Sequence, residues 1–474
     1  MIFTLNTTNV KAGTLIAYTV KGTGDAAGQT SSGTFTVDST GVAVSDVVAV
    51  PANSTFGDSG TLTLSLANGK ATSGVVTVTD ATVDPSSLAK NVVLTVNADA
   101  ATGGSANDTF DATTSNSLQS TDTVSGGAGT DTLTALLNTA TIRPQLTSVE
   151  NLVITNVTGA STLNMIDNTS VTAVTNQAST ANLSLTNLKQ VPSLALNSTG
   201  AVTQTMDFTA AGAAGASDNL AVALNGAAST NLTVSAQGSS KIETVTLTSS
   251  TVANTVGTVD VSGAGTTKLA IAGDQNLTIT TITGTTVTTV DASAASGAVT
   301  LTLPNAGTYL GSSAADVVTA SSGADSLSAG AGNDTFVLAG NLTSADTIDG
   351  GAGTDIVSVS GTVADTAFTK VTNVETVTNS ALATLTLDAK ALAAGVVTVN
   401  LASGAVDTVT VSSGYTGSVK VNQTNATDAD VISASGSTAT LTVASAVATG
   451  LGATAAANTY TGGTGTSDTI TYYL

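Results

Sequence analysis

Aspartate and glycine recur together in short motifs whose spacing suits metal binding. The segments GGAGTDTL at 126–133 and GGAGTDIV at 350–357 fit the nonapeptide pattern G-G-x-G-x-D-x-U-x in full, where U is a large apolar residue. The segment GGSANDTF at 103–110 fits it with one glycine replaced by alanine. Residues 311–337 hold three consecutive nonapeptides, and their aspartates lie nine residues apart.

The chemistry that these turns favour is the binding of a hard cation. Glycine permits positive φ, so a turn can direct backbone carbonyls inward, and the aspartate adds an anionic oxygen. Calcium takes about six to eight oxygen ligands at roughly 2.3–2.6 Å. One turn supplies fewer, so stacked turns must share ions. The nine-residue step predicts that the chain returns to the same place on the next turn of a narrow roll.

The turn residues predicted to bind several calcium ions are Asn107, Asp108, Asp122, Gly127, Gly129, Asp131, Asp316, Asp325, Gly332, Asn333, Asp334, Asp346, Asp349, Gly351, Gly353, Asp355 and Asp468. The alternative is that Gly-Asp turns only connect strands. For the degenerate copies at 311–316 and 462–468 the two interpretations stay open.

The composition excludes many other kinds of site. The chain has 474 residues without His, Cys or Trp, so it has no disulfide, no zinc-thiolate site and no Ser-His-Asp triad. Its net charge of −21 is opposite in sign to that of a nucleic-acid binder. Only three of the 32 acidic residues are glutamates, and this bias to aspartate favours tight turns and cation sites. We therefore expect neither enzymatic activity nor nucleic-acid binding.

The elements that must position these turns read as strands. Alternating runs such as 14–20 and 60–66, separated by Gly, Asp and Asn, predict a β-sandwich over residues 1–82. Beyond it, short strand-like runs recur with Gly-rich turns, which predicts stacked rungs. The expected fold is all-β, an N-terminal β-sandwich followed by parallel β-helix or β-roll units. No run of about 18 apolar residues exists, so we expect no insertion into a membrane.

An internal duplication divides the part after the sandwich. DTVSGGAGTD at 122–131 returns as DTIDGGAGTD at 346–355. The three glutamates, Glu150, Glu243 and Glu375, share one context, with Val or Ile before them and an alternating apolar run after them. These copies predict one unit over 83–310, with calcium turns at its start, and a second over 311–474 with consecutive nonapeptides.

The nonapeptides resemble those of RTX proteins, the hemolysin-type calcium-binding repeat proteins that Gram-negative bacteria export by type I secretion. DTVSGGAGTD followed by SVENLVITN, in a Thr/Ala/Gly/Val-rich chain without Cys, is similar to the RTX-bearing surface-layer (S-layer) proteins. Residues 1–82 resemble Calx-β-type sandwich repeats, through FTLNTTNVKAGTLIAYTVKG and VVTVTDAT. The resemblance implies bound calcium, a parallel β-helix and a self-assembling two-dimensional lattice at the cell surface.

Three functions remain to be compared. The leading expectation is an extracellular, calcium-binding structural protein that assembles with copies of itself into an S-layer-like coat, with cell-surface polysaccharide as a second candidate partner. The alternative is a calcium-dependent RTX adhesin or biofilm-matrix protein. An exported enzyme is the poorest fit, because a zinc protease needs His and a lyase needs Lys or Arg beside clustered Asp, whereas Arg143 is the only arginine.

Overall fold

The computed structural model describes residues 3–23, 30–45, 59–67, 76–79, 87–139, 141–338, 342–401, 406–423, 429–445, 458–465 and 467–472. The chain divides into two compact units, one of residues 1–90 with 104–106 and one of residues 91–103 with 107–474. The predicted boundary between residues 82 and 83 falls within 80–86, outside the described residues.

The smaller unit contains antiparallel strands. They are β1 (Thr4–Asn6), β2 (Leu15–Thr23), β3 (Thr30–Thr36), β4 (Val42–Val44), β5 (Ser59–Leu66) and β6 (Val76–Thr79). They pair in the orders β1-β4 and β3-β2-β5-β6. Tyr18 and Val20 of β2 are buried because alternate side chains of a strand face the same side. Tyr18 and Phe35 share one core with Phe3 and Ala43, so both sheets enclose a common core, as the predicted sandwich requires.

The larger unit is a parallel β-solenoid of about 15 turns. Its strands are β7 (Asn91–Val93), β8 (Ala100–Gly104), β9 (Thr109–Ala112), β10 (Thr123–Gly127), β11 (Thr132–Asn138), β12 (Thr141–Ile142), β13 (Gln145–Thr147), β14 (Asn151–Thr158), β15 (Ser161–Asn164), β16 (Ala173–Gln177), β17 (Leu183–Leu188), β18 (Ser193–Asn197), β19 (Thr203–Phe208), β20 (Asn219–Asn225), β21 (Ala228–Ala236), β22 (Thr244–Ser249), β23 (Asn254–Gly263), β24 (Lys268–Gly273), β25 (Leu277–Thr283), β26 (Thr289–Ala295), β27 (Val299–Thr302), β28 (Thr308–Leu310), β29 (Val317–Thr319), β30 (Ser326–Ser328), β31 (Thr335–Val337), β32 (Thr347–Asp349), β33 (Ile356–Val363), β34 (Val371–Thr372), β35 (Thr376–Leu387), β36 (Thr398–Leu401), β37 (Thr408–Val411), β38 (Ser418–Gln423), β39 (Val431–Ser433), β40 (Thr440–Ser445), β41 (Thr459–Thr461) and β42 (Thr469–Tyr472).

These strands form two long sheets and a short one. The 14-stranded sheet holds β7, β9, β11, β14 and then every second strand to β34. The 19-stranded sheet holds β12, β15, every second strand to β35, and β36 to β42, while β8, β10 and β13 form the short sheet. A 3-10 helix (Asp365–Lys370) lies between β33 and β34, and the helix α1 (Ala389–Ala394) lies between β35 and β36. In the described part of the chain, no helix is long and apolar enough to cross a membrane.

Stacks of inward-facing apolar side chains hold the rungs together. Leu152 of β14 pairs in register with Val174 of β16, which pairs with Leu194 of β18. All three are buried, since the alternation of each strand places the same positions of successive rungs on the core side. The stacks form one core from Leu94 to Val443.

The solenoid continues through the predicted boundary between residues 310 and 311. β27 pairs with β29 and β28 with β30, in parallel, across this boundary. Buried residues on both sides of the boundary share one core. The division into units 83–310 and 311–474 therefore stays a prediction.

The path of the nonapeptides corrects one prediction. β28, β30 and β32 pair in one long sheet, whereas β29, β31 and β33 pair in the other. Successive nonapeptides thus lie on different faces, and the chain returns to the same place after two of them. The predicted nine-residue return was wrong, because one nonapeptide supplies one turn and one short strand, which is only half a coil.

Candidate calcium sites

Aspartates of alternate nonapeptides are joined in ladders along the solenoid. The backbone N–H of Asp316 donates to Oδ1 of Asp334 at 2.6 Å, and that of Asp334 donates to Oδ1 of Asp355 at 2.8 Å. The N–H of Asp355 donates to Oε2 of Glu375 at 2.8 Å. We call these four residues the long ladder. Each rung therefore uses one carboxylate oxygen to accept a hydrogen bond from the rung before it.

The first nonapeptides build the same arrangement. The N–H of Asp108 donates to Oδ1 of Asp131 at 2.7 Å, and the N–H of Asp131 donates to Oε2 of Glu150 at 2.8 Å. We call these three residues the short ladder. Both ladders end on a glutamate, whose longer side chain reaches back from a rung that has no glycine turn.

Two further pairs precede strands of other sheets than the ladder of their own block, β8 and β10 of the short sheet and β30 and β32 of the 14-stranded sheet. The N–H of Asp99 donates to Asp122 and that of Asp325 donates to Asp346, both at 3.0 Å to Oδ1. The aspartates of nonapeptides that are at most 3% exposed are Asp108, Asp122, Asp131, Asp316, Asp325, Asp334, Asp346 and Asp355. Burial of so many carboxylates is costly unless hydrogen bonds or a cation compensate each charge.

Three of these aspartates have an oxygen without any hydrogen-bond donor. Six buried side-chain oxygens among the described residues accept no hydrogen bond, and three of them are Oδ2 of Asp131, Asp334 and Asp355. We call these the open carboxylates. A buried anionic oxygen without a donor is rare in native proteins and calls for an unseen partner, such as an ion.

Carbonyl oxygens converge on the same places. A Cβ on Gly350 would lie 1.8 Å from the carbonyl oxygen of Asn373 and 2.7 Å from Oδ2 of Asp355, so only glycine leaves room for both oxygens. A Cβ on Gly126 would lie 1.8 Å from the carbonyl oxygen of Ser148 and 2.2 Å from Oδ2 of the open carboxylate in its own turn. The predicted glycines with positive φ are Gly127, Gly129, Gly332, Gly351 and Gly353.

The spacing and the donor atoms fit calcium. Neighbouring rungs of a sheet lie about 4.8 Å apart. An ion with oxygen ligands at about 2.3–2.6 Å can therefore contact two successive rungs at once. The donors here are carboxylate and carbonyl oxygens, the ligands that a hard cation prefers. The residues present thus fit a calcium ion shared between stacked turns.

Without a bound cation, burial disfavours the ionised form of these carboxylates. Desolvation, followed by the nearby charges of Asp316 and Asp355, raises the pKa of Asp334 from 3.8 to about 7, although the N–H of Asp316 acts in the opposite direction. Desolvation likewise raises the pKa of Asp131 and of Asp355. A bound divalent cation would reverse this balance by favouring the ionised form.

The other predicted ligands have protein partners. Oδ1 of Asn107 accepts the N–H of Thr130 at 2.8 Å, and Oδ1 of Asn333 accepts that of Thr354 at 2.9 Å. Asp349 accepts hydrogen bonds from Gly351 and Asn373. Asp468 is exposed and accepts the N–H groups of Leu441 and Gly463 at 3.0 and 2.8 Å. These contacts join neighbouring rungs or shape the turn.

Sequence reasoning missed the role of the glutamates. Their common context was visible, and the structure gives it one cause, since each accepts a backbone N–H from an aspartate of the preceding rung. The third case is Asp218, which donates to Oε2 of Glu243 at 2.9 Å. Another rung pair outside the predicted set is Asp407 and Asp430, both buried, where the N–H of Asp407 donates at 2.9 Å. The sequence signal that could have identified these residues is an Asp directly before a short strand-like run of apolar residues.

Comparison with known families supports the chemistry of these turns. A sequence model of the RTX calcium-binding nonapeptide repeat matches four copies, at residues 119–136, 310–340 and 342–361. No curated protein sequence matches the chain. The matched segments contain the three open carboxylates, whereas the related turns at 103–110 and 461–470 lie outside them.

The fold and the repeats together define the class of protein, a β-solenoid with several calcium sites. This chain carries RTX calcium-binding repeats, and such repeats bind calcium at several sites. RTX proteins are typically secreted, and RTX solenoids are typically structural or toxin-like. The resemblances of this chain to surface-layer proteins and to Calx-β domains stay predictions.

Proposed function

We propose that this chain is a secreted structural protein of a bacterial cell surface, which needs calcium to fold and assembles with copies of itself into an S-layer-like coat. The open carboxylates carry the proposal. Each buries an anionic oxygen that no described donor compensates. In a chain built this way, the free energy of metal binding becomes free energy of folding.

The ions would lie between stacked glycine turns of the ladders. In the long ladder the proposed ligands are Asp334, Asp355 and carbonyl groups of the turns at 329–334 and 350–355. In the short ladder they are Asp131 and carbonyl groups of the turns at 103–108 and 126–131. Ion binding would fix the spacing of these rungs and so the geometry of the strands that follow them.

The surface composition supports assembly. On β22, Thr244, Thr246 and Thr248 are half-exposed and alternate with buried Val245 and Leu247. The whole chain has only 11 Lys and Arg residues, and lysine is a common guard against edge-to-edge pairing of sheets. At a net charge of −21 copies repel one another, and each bound calcium removes two negative charges. Calcium would therefore both order the rungs and allow uncharged faces to meet.

An adhesin or biofilm-matrix protein is the second candidate. A solenoid of about 15 turns with a rung spacing of about 4.8 Å is roughly 70 Å long, which suits a spacer that presents a distant domain. The same calcium sites would serve this role. The two candidates differ in whether copies of the chain associate.

No catalytic step is part of the proposal. The chain lacks His and Cys, and Arg143 forms an ion pair with Asp167. Turnover of a protease, lyase or glycosidase substrate that one carboxylate substitution abolishes would contradict this.

Calcium titration of the full chain tests the proposal. Protein freed of metal with EDTA is titrated to millimolar calcium and followed by light scattering, with electron microscopy of the end point. We expect large sheet-like particles that EDTA disperses, and a poor response to magnesium, because magnesium demands tight octahedral geometry and sheds water reluctantly.

A matched pair of variants separates site loss from charge loss. Asp355→Asn removes a proposed ligand, whereas Asp260→Asn removes a half-buried acid outside the ladders that accepts the N–H and hydroxyl of Ser262. We expect Asp355→Asn to need more calcium to assemble and Asp260→Asn to behave as the parent chain. A parent chain that stays monomeric at saturating calcium would favour the adhesin role. A parent chain whose melting temperature is the same with and without EDTA would refute calcium-dependent folding.

A further inference from the structure

The nonapeptides of residues 311–361 contain two kinds of aspartate. Asp334 and Asp355 are open, as described above. Asp325 is not: its Oδ1 accepts the N–H of Gly307 at 3.1 Å and the hydroxyl of Ser321 at 3.1 Å. Its Oδ2 accepts the N–H and the hydroxyl of Ser321, both at 3.0 Å. The single hydroxyl proton of Ser321 is shared between the two oxygens, so three protein donors serve this carboxylate and both of its oxygens have a partner.

Asp316 is closed in the same way. Its Oδ1 accepts the N–H of Val299 and the hydroxyl of Ser312, and its Oδ2 accepts the N–H of Ser312 and the hydroxyl of Tyr309, all at 2.8 Å. Tyr309 is fully buried, so its hydroxyl faces the carboxylate and not solvent. Both oxygens of this carboxylate therefore have protein donors.

Asp346 is closed by a threonine. Its Oδ1 accepts the N–H of Asp325 at 3.0 Å, and its Oδ2 accepts the N–H and the hydroxyl of Thr343 at 2.8 and 3.1 Å. Asp316, Asp325 and Asp346 are hereafter the closed carboxylates. All three are at most 3% exposed, so the difference from the open carboxylates is not one of solvent access.

In four of the five turns, the residue at the second position of the nonapeptide separates the two kinds; in the fifth, Thr343 lies three residues before Asp346. The open turns AGAGND (329–334) and GGAGTD (350–355) have Gly330 and Gly351 there, with φ of 97° and 85°. The closed turns GSSAAD (311–316) and ASSGAD (320–325) have Ser312 and Ser321, neither of which has positive φ. A serine in that backbone conformation points its hydroxyl at the carboxylate four residues later. A glycine leaves that place empty.

We propose that calcium enters only the open turns of this block, and that Ser312, Ser321 and Thr343 hydroxyls take the place of the ion in the closed turns. Calcium at a closed carboxylate would have to displace hydrogen bonds to a charged acceptor, which are among the stronger ones in proteins. At an open carboxylate it displaces none. This inference rests on the proposed calcium-dependent fold. It separates turns that share one repeat motif into those that bind calcium and those that do not.

Two aspartate variants of the full chain test the division. Asp355→Asn and Asp325→Asn each remove one buried acid from a nonapeptide. Bound calcium is counted by equilibrium dialysis with radioactive calcium, and thermal midpoints are measured in calcium and in EDTA. We expect Asp355→Asn to bind at least one ion fewer and to lose part of its calcium-dependent rise in midpoint. We expect Asp325→Asn to bind as many ions as the parent chain, with both midpoints lowered equally.

A milder substitution covers the case in which Asp325→Asn does not fold. Ser321→Ala keeps the carboxylate and the backbone donor, removes only the hydroxyl, and should leave the calcium count unchanged. Asp334→Asn likewise replaces Asp355→Asn if that variant unfolds. Loss of an ion in Asp325→Asn or Ser321→Ala, or a full count in Asp355→Asn, would overturn the division. A parent chain that binds no calcium would instead refute the proposed function.

Discussion

Replacing Asp334 by asparagine should change stability in opposite directions with and without calcium. Its Oδ1 accepts the N–H of Asp316 at 2.6 Å, while its Oδ2 has no donor among the described residues. Burial raises its pKa from 3.8 to about 7. That gap corresponds to about 4 kcal/mol in favour of the neutral form. At pH 8 the ionised side chain therefore destabilises the metal-free fold, and a neutral asparagine relieves this.

With calcium bound, the same substitution removes an anionic ligand. An asparagine oxygen can still accept the N–H of Asp316, so the rung contact survives in both states. We expect Asp334→Asn to stabilise the EDTA-treated chain at pH 8 by about 1–3 kcal/mol, less than the full gap because the amide N–H₂ in turn needs an acceptor. In millimolar calcium we expect a loss of similar size, since the ion loses a charged ligand.

Thermal unfolding followed by circular dichroism, in calcium and in EDTA, measures both effects on one preparation. Asp260→Asn is the control, because it removes one charge outside the ladders and should shift both midpoints alike. The reasoning fails if Asp334→Asn shifts the two midpoints in the same direction, or if the difference between its shifts is no larger than that of the control.

Other consequences can be measured in the same way. Gly350→Ala should destabilise the chain by about 3 kcal/mol or more, because the new Cβ would lie 1.8 Å from the carbonyl oxygen of Asn373. The control Gly200→Ala, which has nothing within 4 Å of its Cβ, should change the free energy of unfolding by no more than about 0.5 kcal/mol. Equal urea midpoints for the two variants would contradict this. Tyr309→Phe should cost about 1–3 kcal/mol equally in calcium and in EDTA, because the lost hydroxyl donates to Asp316, and a loss confined to calcium would contradict a metal-free role. The EDTA-treated chain should melt at a higher temperature at pH 5 than at pH 8, because burial raises the folded-state pKa of the open carboxylates. The stability that protonation supplies is then lost as pH rises through these raised values, which for Asp334 means from 3.8 to about 7. The calcium-loaded chain should show the opposite trend, because protons compete with the ion, and parallel melting curves would refute the argument.

The sequence by itself determined the class of fold and the chemistry of the turns. Alternation of apolar residues with Thr and Ser fixes which side of each strand is buried, and this pattern is local. The glycine and aspartate spacing identified a calcium repeat, because both the backbone conformation and the anionic oxygen are properties of single residues. The absence of His and Cys is likewise read directly from the composition.

The tertiary structure decided which turns stack and which carboxylates stay open. Asp316 pairs with Asp334, and not with the nearer Asp325, because β-strand pairing joins alternate nonapeptides. The donors that close a carboxylate include Val299 and Gly307, each 17 or 18 residues before the aspartate that it contacts. The register between rungs determines such contacts. That register depends on the length of each rung, and the length depends on turns whose size the local sequence pattern does not specify. A motif therefore names the candidate ligands, while the stacking of rungs determines which of them keep an oxygen for the ion.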